Sequence, residues 1–293
     1  LRLQYSSGDF STLTPTLRDY SDSSQLLLTN TIYGSGYGKK PSVKDELAGF
    51  KLIGTLPAPS ALSMLSDIQV GVNYADRKKR KSQPEGPITV GAQGDTAIGA
   101  DLLYQSVDLG FAGVGNIPSW NVPAAVGRYM VFSPSETAQG FLISKAWNVF
   151  EKTTTAFAKA NVDTDIGGIN VRGNFGVQLQ RVDQSSSANY FDGSAPEPER
   201  VKPVEGGKTF TDILPSLNLA FALGNDQTVR FAAARQVARP RVDQLRAALD
   251  FGIDNATGRP GASGGNPELD PWRANALDIS YEKYFGSKAY VAA

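Results

Sequence analysis

Cysteine and histidine are both absent from the 293 residues, methionine occurs twice, and 29 lysines and arginines balance 29 aspartates and glutamates. Without cysteine there is no disulfide framework, thiolate nucleophile or cysteine-ligated zinc. Without histidine, imidazole proton transfer, Ser-His-Asp hydrolysis and nearly all zinc catalysis fall away too, so no enzyme activity, cofactor or metal is expected. A formal charge of zero and a pI near 6.6 leave no extended basic surface for nucleic acid. No stretch approaches the ~18 consecutive apolar residues of a membrane-crossing helix. That excludes a helical membrane protein but not a β-barrel, whose strands hide lipid-facing side chains among polar alternates.

What the chain does have is period two. Ile169, Val171, Phe175, Val177 and Leu179 alternate with Asn170, Arg172, Asn174, Gln178 and Gln180. Ile213, Leu217, Leu219, Phe221 and Leu223 alternate with Asp212, Ser216 and Asn218, and Leu277, Ile279, Tyr281 and Phe285 with Asp278, Ser280 and Glu282. Ile68, Val70, Val72 and Tyr74 do the same, and weaker versions occupy Gln25–Tyr33, Leu47–Leu56, Phe141–Phe157 and Thr228–Ala238. Pro215 falls on an apolar position, where its missing N–H suggests a strand end or a bulge. The pattern gives about ten strands and no convincing amphipathic helix. Connections alternate in length: Leu223–Asp226 and Phe285–Ser287 are tight turns and Asn161–Gly168 a slightly longer one, whereas 81–140, 183–208 and 239–271 are long and rich in Gly, Pro, Ser and Asn. Short turns at one rim and long loops at the other are the pattern of an all-β, antiparallel transmembrane barrel with periplasmic turns and extracellular loops. A soluble β-sandwich or propeller is the alternative, though it seldom has strands of this length. The expected organisation is one barrel segment over 1–293, with Ile169, Phe175, Leu219, Phe221 and Ile279 on the lipid face and Asn174, Asn218 and Asp278 on the other.

The residues also resemble a known family, the barrel portion of TonB-dependent outer-membrane receptors. Phe210-Thr-Asp-Ile-Leu-Pro-Ser-Leu-Asn-Leu219 is similar to its LPSLNL strand, and Val229–Arg235 with Ala238-Arg239-Pro240 to the strand that follows. Gly265-Asn-Pro-Glu-Leu-Asp-Pro271, then Asn275, Asp278–Glu282 and Tyr284-Phe285, resemble its GNP segment, and Arg172–Val177 resembles an upstream RGN strand. The resemblance implies a larger barrel of about 22 strands, a plug domain inside it, and the TonB energy-coupling protein as partner. It implies that this chain is a middle piece, without the plug and the last strands. Active uptake of a scarce ligand follows from it, an oligosaccharide or a siderophore being the classes considered. A passive porin or structural barrel is the alternative, and a barrel lipase or protease is disfavoured by the absence of histidine.

Candidate ligand-binding residues are the loop aromatics Tyr104, Phe111, Trp120 and Tyr129, with Tyr190 and Phe191, which suit stacking on a sugar or another flat ligand. The alternative is that a loop of this length needs its own small core. Arg172, Asn174, Gln178, Asn218, Asp278 and Glu282 are candidates for the lumen face, hydrogen-bonding a plug or water. Asp278 and Glu282 stand about 13 Å apart along one strand, too far for an acid/base pair. Asp250, Asp254, Glu268 and Asp270 lack the spacing of a calcium loop. Arg77-Lys-Lys-Arg-Lys81, read as the base of the longest loop, is either solvated or bound to an anionic ligand or lipopolysaccharide phosphates. Tyr284, Phe285 and Tyr290 flank a turn and fit an interfacial aromatic girdle.

Overall fold

The structure is a computed structural model that describes residues 2–4, 12–14, 16–17, 19–25, 27–30, 35–92, 94–254, 256–286 and 289–293. They form two compact units, one from 1–41 with 83–138 and one from 42–82 with 139–293.

The larger unit is a ten-stranded sheet: β1 (Ser42–Pro57), β2 (Leu65–Ser82), β3 (Trp147–Ile166), β4 (Ile169–Asp192), β5 (Val201–Gly224), β6 (Gln227–Ala238), β7 (Leu249–Ile253), β8 (Pro260–Gly264), β9 (Trp272–Phe285) and β10 (Ala289–Ala292). Eight of them run side by side in the order β10-β9-β6-β5-β4-β3-β2-β1, each antiparallel to its neighbour. No sheet closes on itself among the described residues. β7 instead runs parallel to the far end of β4 and pairs with β8. The meander depends on two-residue turns that demand positive φ, met by Gly167-Gly168 (φ 58° and 83°) and Asn225-Asp226 (49° and 58°).

The register sorts side chains as the alternation requires. Phe175 sits opposite Leu217, and Leu219 is in line with Gly173, Phe231 and Ile279 across four strands. The other face carries Asn174 opposite Asn218, then Ala232 and Asp278. The two expected sets therefore occupy opposite faces. Along the apolar face Leu52, Leu56, Ile213, Leu277 and Ile279 are all more than half exposed, so large apolar side chains stand uncovered from β1 to β9.

Three boundaries differ from the sequence reading. β4 and β5 are 24 residues each, so most of 183–208 is strand and only 193–200 connects it. Phe141–Phe157 is not one strand: a helical turn covers Gly140–Ile143, and β3 starts at Trp147 and runs through Ile166 to the Gly167-Gly168 turn. Pro215 interrupts neither strand nor the ladder to β4, but the ladder to β6 stops beside it, at Ser216 opposite Ala234. Beyond that point β5 and β6 part around a cavity of about 650 Å³ lined by Ile213, Pro215, Leu217, Ala233 and Ala276.

The smaller unit gives the long 81–140 segment the core its length demands. Strands Gly36–Lys39, Glu85–Val90 and Met130–Phe132 make a three-stranded sheet, and Val90, Leu102 and Ala125 are buried. A helix at Val122–Tyr129, unforeseen in the sequence, starts with Pro123 in its first turn and the Asn121 side chain accepting from the Ala124 N–H at 3.2 Å. Its eight residues are too few to show a helical period. Gln25–Tyr33 is not a spanning strand: it holds the end of a 3-10 turn and the two-residue strand Leu27–Leu28, while Leu26 and 31–34 lie outside the described residues.

Candidate functional site

The polar face of the large sheet collects the chemistry, and it changes character from the turn end to the far end. Near the turns, Arg172 pairs with Asp163 at 3.3 Å and Arg230 with Glu282 at 2.7 Å. The Tyr284 hydroxyl donates to Glu282 at 2.6 Å, and the Tyr284 ring lies 5.8 Å from that of Tyr290. Both tyrosines have the parity of this polar face, and only Phe285 has that of the apolar one, so the expected girdle is split between faces. All six polar candidates, Arg172, Asn174, Gln178, Asn218, Asp278 and Glu282, share this face.

Midway up lies a cleft of about 530 Å³ walled by Lys51, Gln69, Asn73, Thr155, Phe157, Lys159, Gln178, Gln180 and Ser216. Its side chains come from β1 to β5 at positions the register places on one face. Apart from Gln180 donating to Thr155 at 3.5 Å, their hydrogen-bonding groups are not spent on other side chains among the described residues. Phe157 is the one aromatic of the cleft. Its ring lies against Gly71 of the neighbouring strand, where any added Cβ would collide with the ring edge. The glycine lets the ring lie close against the wall at the edge of the cleft it lines. No carboxylate lines this site, and neither Lys51 nor Lys159 has an ion-pair partner among the described residues.

Towards the far end the face becomes ionic and then closed. Arg77 grips Asp45 with two hydrogen bonds of 2.7 and 3.0 Å and approaches Glu151 at 3.8 Å, while Arg239 reaches Glu151 at 3.5 Å and Thr153 at 3.0 Å. Asp212, buried on β5, is held by the Arg273 guanidinium of β9. Above them the β6–β9 connection folds back onto the wall. Leu245 packs with Trp147 and Val149, flanked by Val242, Leu269 and Ala188. Gln184 donates to the Pro267 and Leu269 carbonyls at 2.8 and 2.9 Å, and the Ser186 hydroxyl accepts from the Ala247 N–H at 2.8 Å. Lys208, 2.8 Å from Asp270, holds that carboxyl below the usual carboxylate range.

The aromatic candidates have different surroundings. Tyr104 and Phe111 are exposed, at 61 % and 73 %. Trp120 instead lines a small cavity with Leu27, Leu28, Ile98 and Leu103, and the Tyr129 hydroxyl accepts from the Gly99 N–H at 3.1 Å. Tyr190 and Phe191 are half-buried at the end of β4, opposite Lys202 and Val201 and beside β7. Asp254 is taken up by its own turn, accepting from the Ala256 and Thr257 N–H groups. Sequence reasoning missed Phe157, Glu151 and Arg273. The signal for Phe157 was available: it is the one aromatic in the alternating series Glu151, Thr153, Thr155, Phe157, Lys159.

An open antiparallel sheet with one exposed apolar face, one polar face and all its two-residue turns at one end is the wall of a membrane barrel. The family model described as TonB dependent receptor-like, beta-barrel matches residues 2–293. No curated protein and no solved structure matches the chain. The match covers nearly its whole length, and the chain belongs to the TonB-dependent receptor β-barrel family, outer-membrane proteins of receptor and transport function.

Proposed function

We propose that the chain forms part of the wall of a receptor that takes up a scarce, hydroxyl-rich ligand, an oligosaccharide in the first place. The apolar face meets lipid and the polar face lines the passage. The exposed rings of Tyr104 and Phe111 offer a further stacking surface for the ligand, and energy arrives from the TonB partner through a plug domain. The observation that carries the ligand class is the Phe157 cleft. A ring face beside amides and hydroxyls with free hydrogen-bonding capacity suits the flat apolar side and polar rim of a sugar. A ferric siderophore is the second class, favoured by the two unpaired lysines of the rim, Lys51 and Lys159.

The test is uptake by a deletion strain carrying the full receptor, measured on an oligosaccharide panel and on ferric siderophores, with and without TonB. Oligosaccharide uptake that needs TonB is expected, and Phe157→Ala should weaken it about fivefold, one stacked ring contributing about 1 kcal/mol. Uptake that persists unchanged without TonB would establish the passive-porin reading instead. Transport of siderophores alone would overturn the ligand class.

A further inference from the structure

We infer that the Phe157 cleft selects acidic oligosaccharides, its Lys51 and Lys159 each meeting a carboxylate on a different sugar, as a chain of uronic acids would supply. The inference deepens the oligosaccharide reading and rests on it. Lys51 comes from β1 and Lys159 from β3, and both have the parity of the polar face. Lys51 is exposed, Lys159 is half-buried, and no arginine shares the cleft with them.

The acids of the wall leave both ammonium groups unanswered. Gln69 stands opposite Lys159, and Asp67, two positions from Gln69 on the same face of β2, is the carboxylate the register brings nearest. It is taken up instead by the Asn161 amide, which donates at 2.7 Å, and by the Ser66 hydroxyl, which donates at 2.8 Å. Asp163, four positions beyond Lys159, pairs with Arg172. The basic run Arg77–Lys81 lies within β2 and not at the base of a loop, and its Arg77 and Lys79 hold Asp45, the acid on the same face of β1 as Lys51. Asp212, opposite Gln180 of the cleft, is held by Arg273. The cleft therefore keeps two positive charges and no negative one. A concave surface lined by one sign of charge focuses its field and concentrates solutes of the other sign.

The register also sets how far apart the charges stand. Lys51 faces Asn73 and Asn73 faces Thr155, so Lys51 lies in the row of Thr155 two strands away, whereas Lys159 is four residues further along β3. With strands ~4.8 Å apart and a rise of ~3.4 Å per residue, the two Cα atoms are about 17 Å apart, and the row of Phe157 falls between theirs. Side chains stand roughly perpendicular to a sheet, so the two ammonium groups do not converge on one anion. A solute with one charge engages one lysine. A chain with charges on separate sugars engages both, while the sugar between lies beside Phe157 and its hydroxyls meet the amides of Gln69, Asn73 and Gln178. A lysine is a point charge on a flexible stem, without the two-pronged grip of arginine, which suits a ligand that must be released again.

The test is calorimetric titration of the full receptor in detergent with trigalacturonate, with the same trimer methyl-esterified, and with a ferric carboxylate siderophore. The acid trimer should bind about tenfold to a hundredfold more tightly than the ester, and higher salt should narrow the gap. Lys51→Gln and Lys159→Gln should each weaken the acid trimer about threefold to tenfold and leave the ester unchanged. An equal charge loss in the β6–β9 connection, Arg241→Gln with Arg259→Gln, should leave both unchanged. Glutamine keeps much of the lysine stem and neither lysine holds a partner in the wall, so the variants should still insert. Equal binding of acid and ester would overturn the inference and leave the oligosaccharide reading standing. Unaltered binding of the acid trimer in both lysine variants would show that the receptor's own acids meet these lysines, and would overturn it too. Binding of the siderophore with neither trimer retained would remove the oligosaccharide reading itself, and this inference with it.

Discussion

Replacing Arg273 with alanine is expected to lower the unfolding stability of the full receptor by about 3 kcal/mol, the low end of what breaking a buried ion pair costs. Asp212 is 3 % exposed, and its carboxylate is held by the Nε and Nη2 groups of Arg273. Without the guanidinium the carboxylate is left in a dry wall with no counter-charge. The low end applies because the Arg273 side chain is itself 30 % exposed and water can reach the gap. The pair also has a mechanical task, since the β5–β6 ladder ends at Ser216 and Arg273 bridges from β9 to β5 beyond that point. Arg273→Lys keeps the charge but loses the two-pronged geometry, and should recover only part of the stability. Asp212→Asn added to Arg273→Ala should cost less than the two single changes together. Urea unfolding of the unaltered receptor, the three single variants and the double variant in micelles checks this, and additive single effects would show that the two residues do not act as a pair.

Leu245→Ala should release the β6–β9 connection from the wall without unfolding the barrel. Leu245 is 1 % exposed between Trp147 and Val149, and truncating a leucine so enclosed costs about 2–5 kcal/mol. The connection is otherwise held by the hydrogen bonds from Gln184 and to Ser186, by the Lys208–Asp270 and Arg239–Glu151 ion pairs and by the short parallel pairing of β7 with the end of β4. Because only this segment must detach, the cost should appear as local opening, with roughly a hundredfold larger open population for about 3 kcal/mol. Hydrogen exchange should accelerate over 240–270 and hardly change in β1 or β2. Gln184→Ala should act in the same direction and more weakly, since it removes two donated bonds but no apolar volume. Unchanged exchange in Leu245→Ala would show that the cluster does not hold the connection.

The limits of the sequence are seen in β4 and β5. Below residue 182 one face of β4 is apolar, and Phe175, Val177 and Leu179 announce the strand. From Asp183 to Ser187 both faces are polar: Ser185 and Ser187 have the parity of the outer face, whereas Gln184 and Ser186 turn towards the β6–β9 connection that buries them. Alternation vanishes although the strand does not, so the stretch reads as loop. The candidate site was legible to the same extent. Periodicity assigned Gln178 and Asn218 to the polar face, but Phe157 becomes a platform only because Gly71 of another strand, 86 positions earlier, lies beneath it. Arg273 and Asp212 are 61 residues apart and have nothing in common in the sequence.

By itself the sequence determined that this is a β-wall with a greasy and a wet face, and which residues belong to each, because side-chain direction in a strand is a local property with a period of two. It also determined where the tight turns fall, since φ > 0 is a demand on single residues such as Gly167 and Asn225. Only the tertiary structure decided that the β6–β9 connection packs onto the wet face, that β5 and β6 part beside Pro215, and that Arg77 and Lys79 of the basic run lie within β2 and meet Asp45 of β1. Those outcomes depend on strand register and on contacts between residues distant in the chain, and no local pattern encodes either.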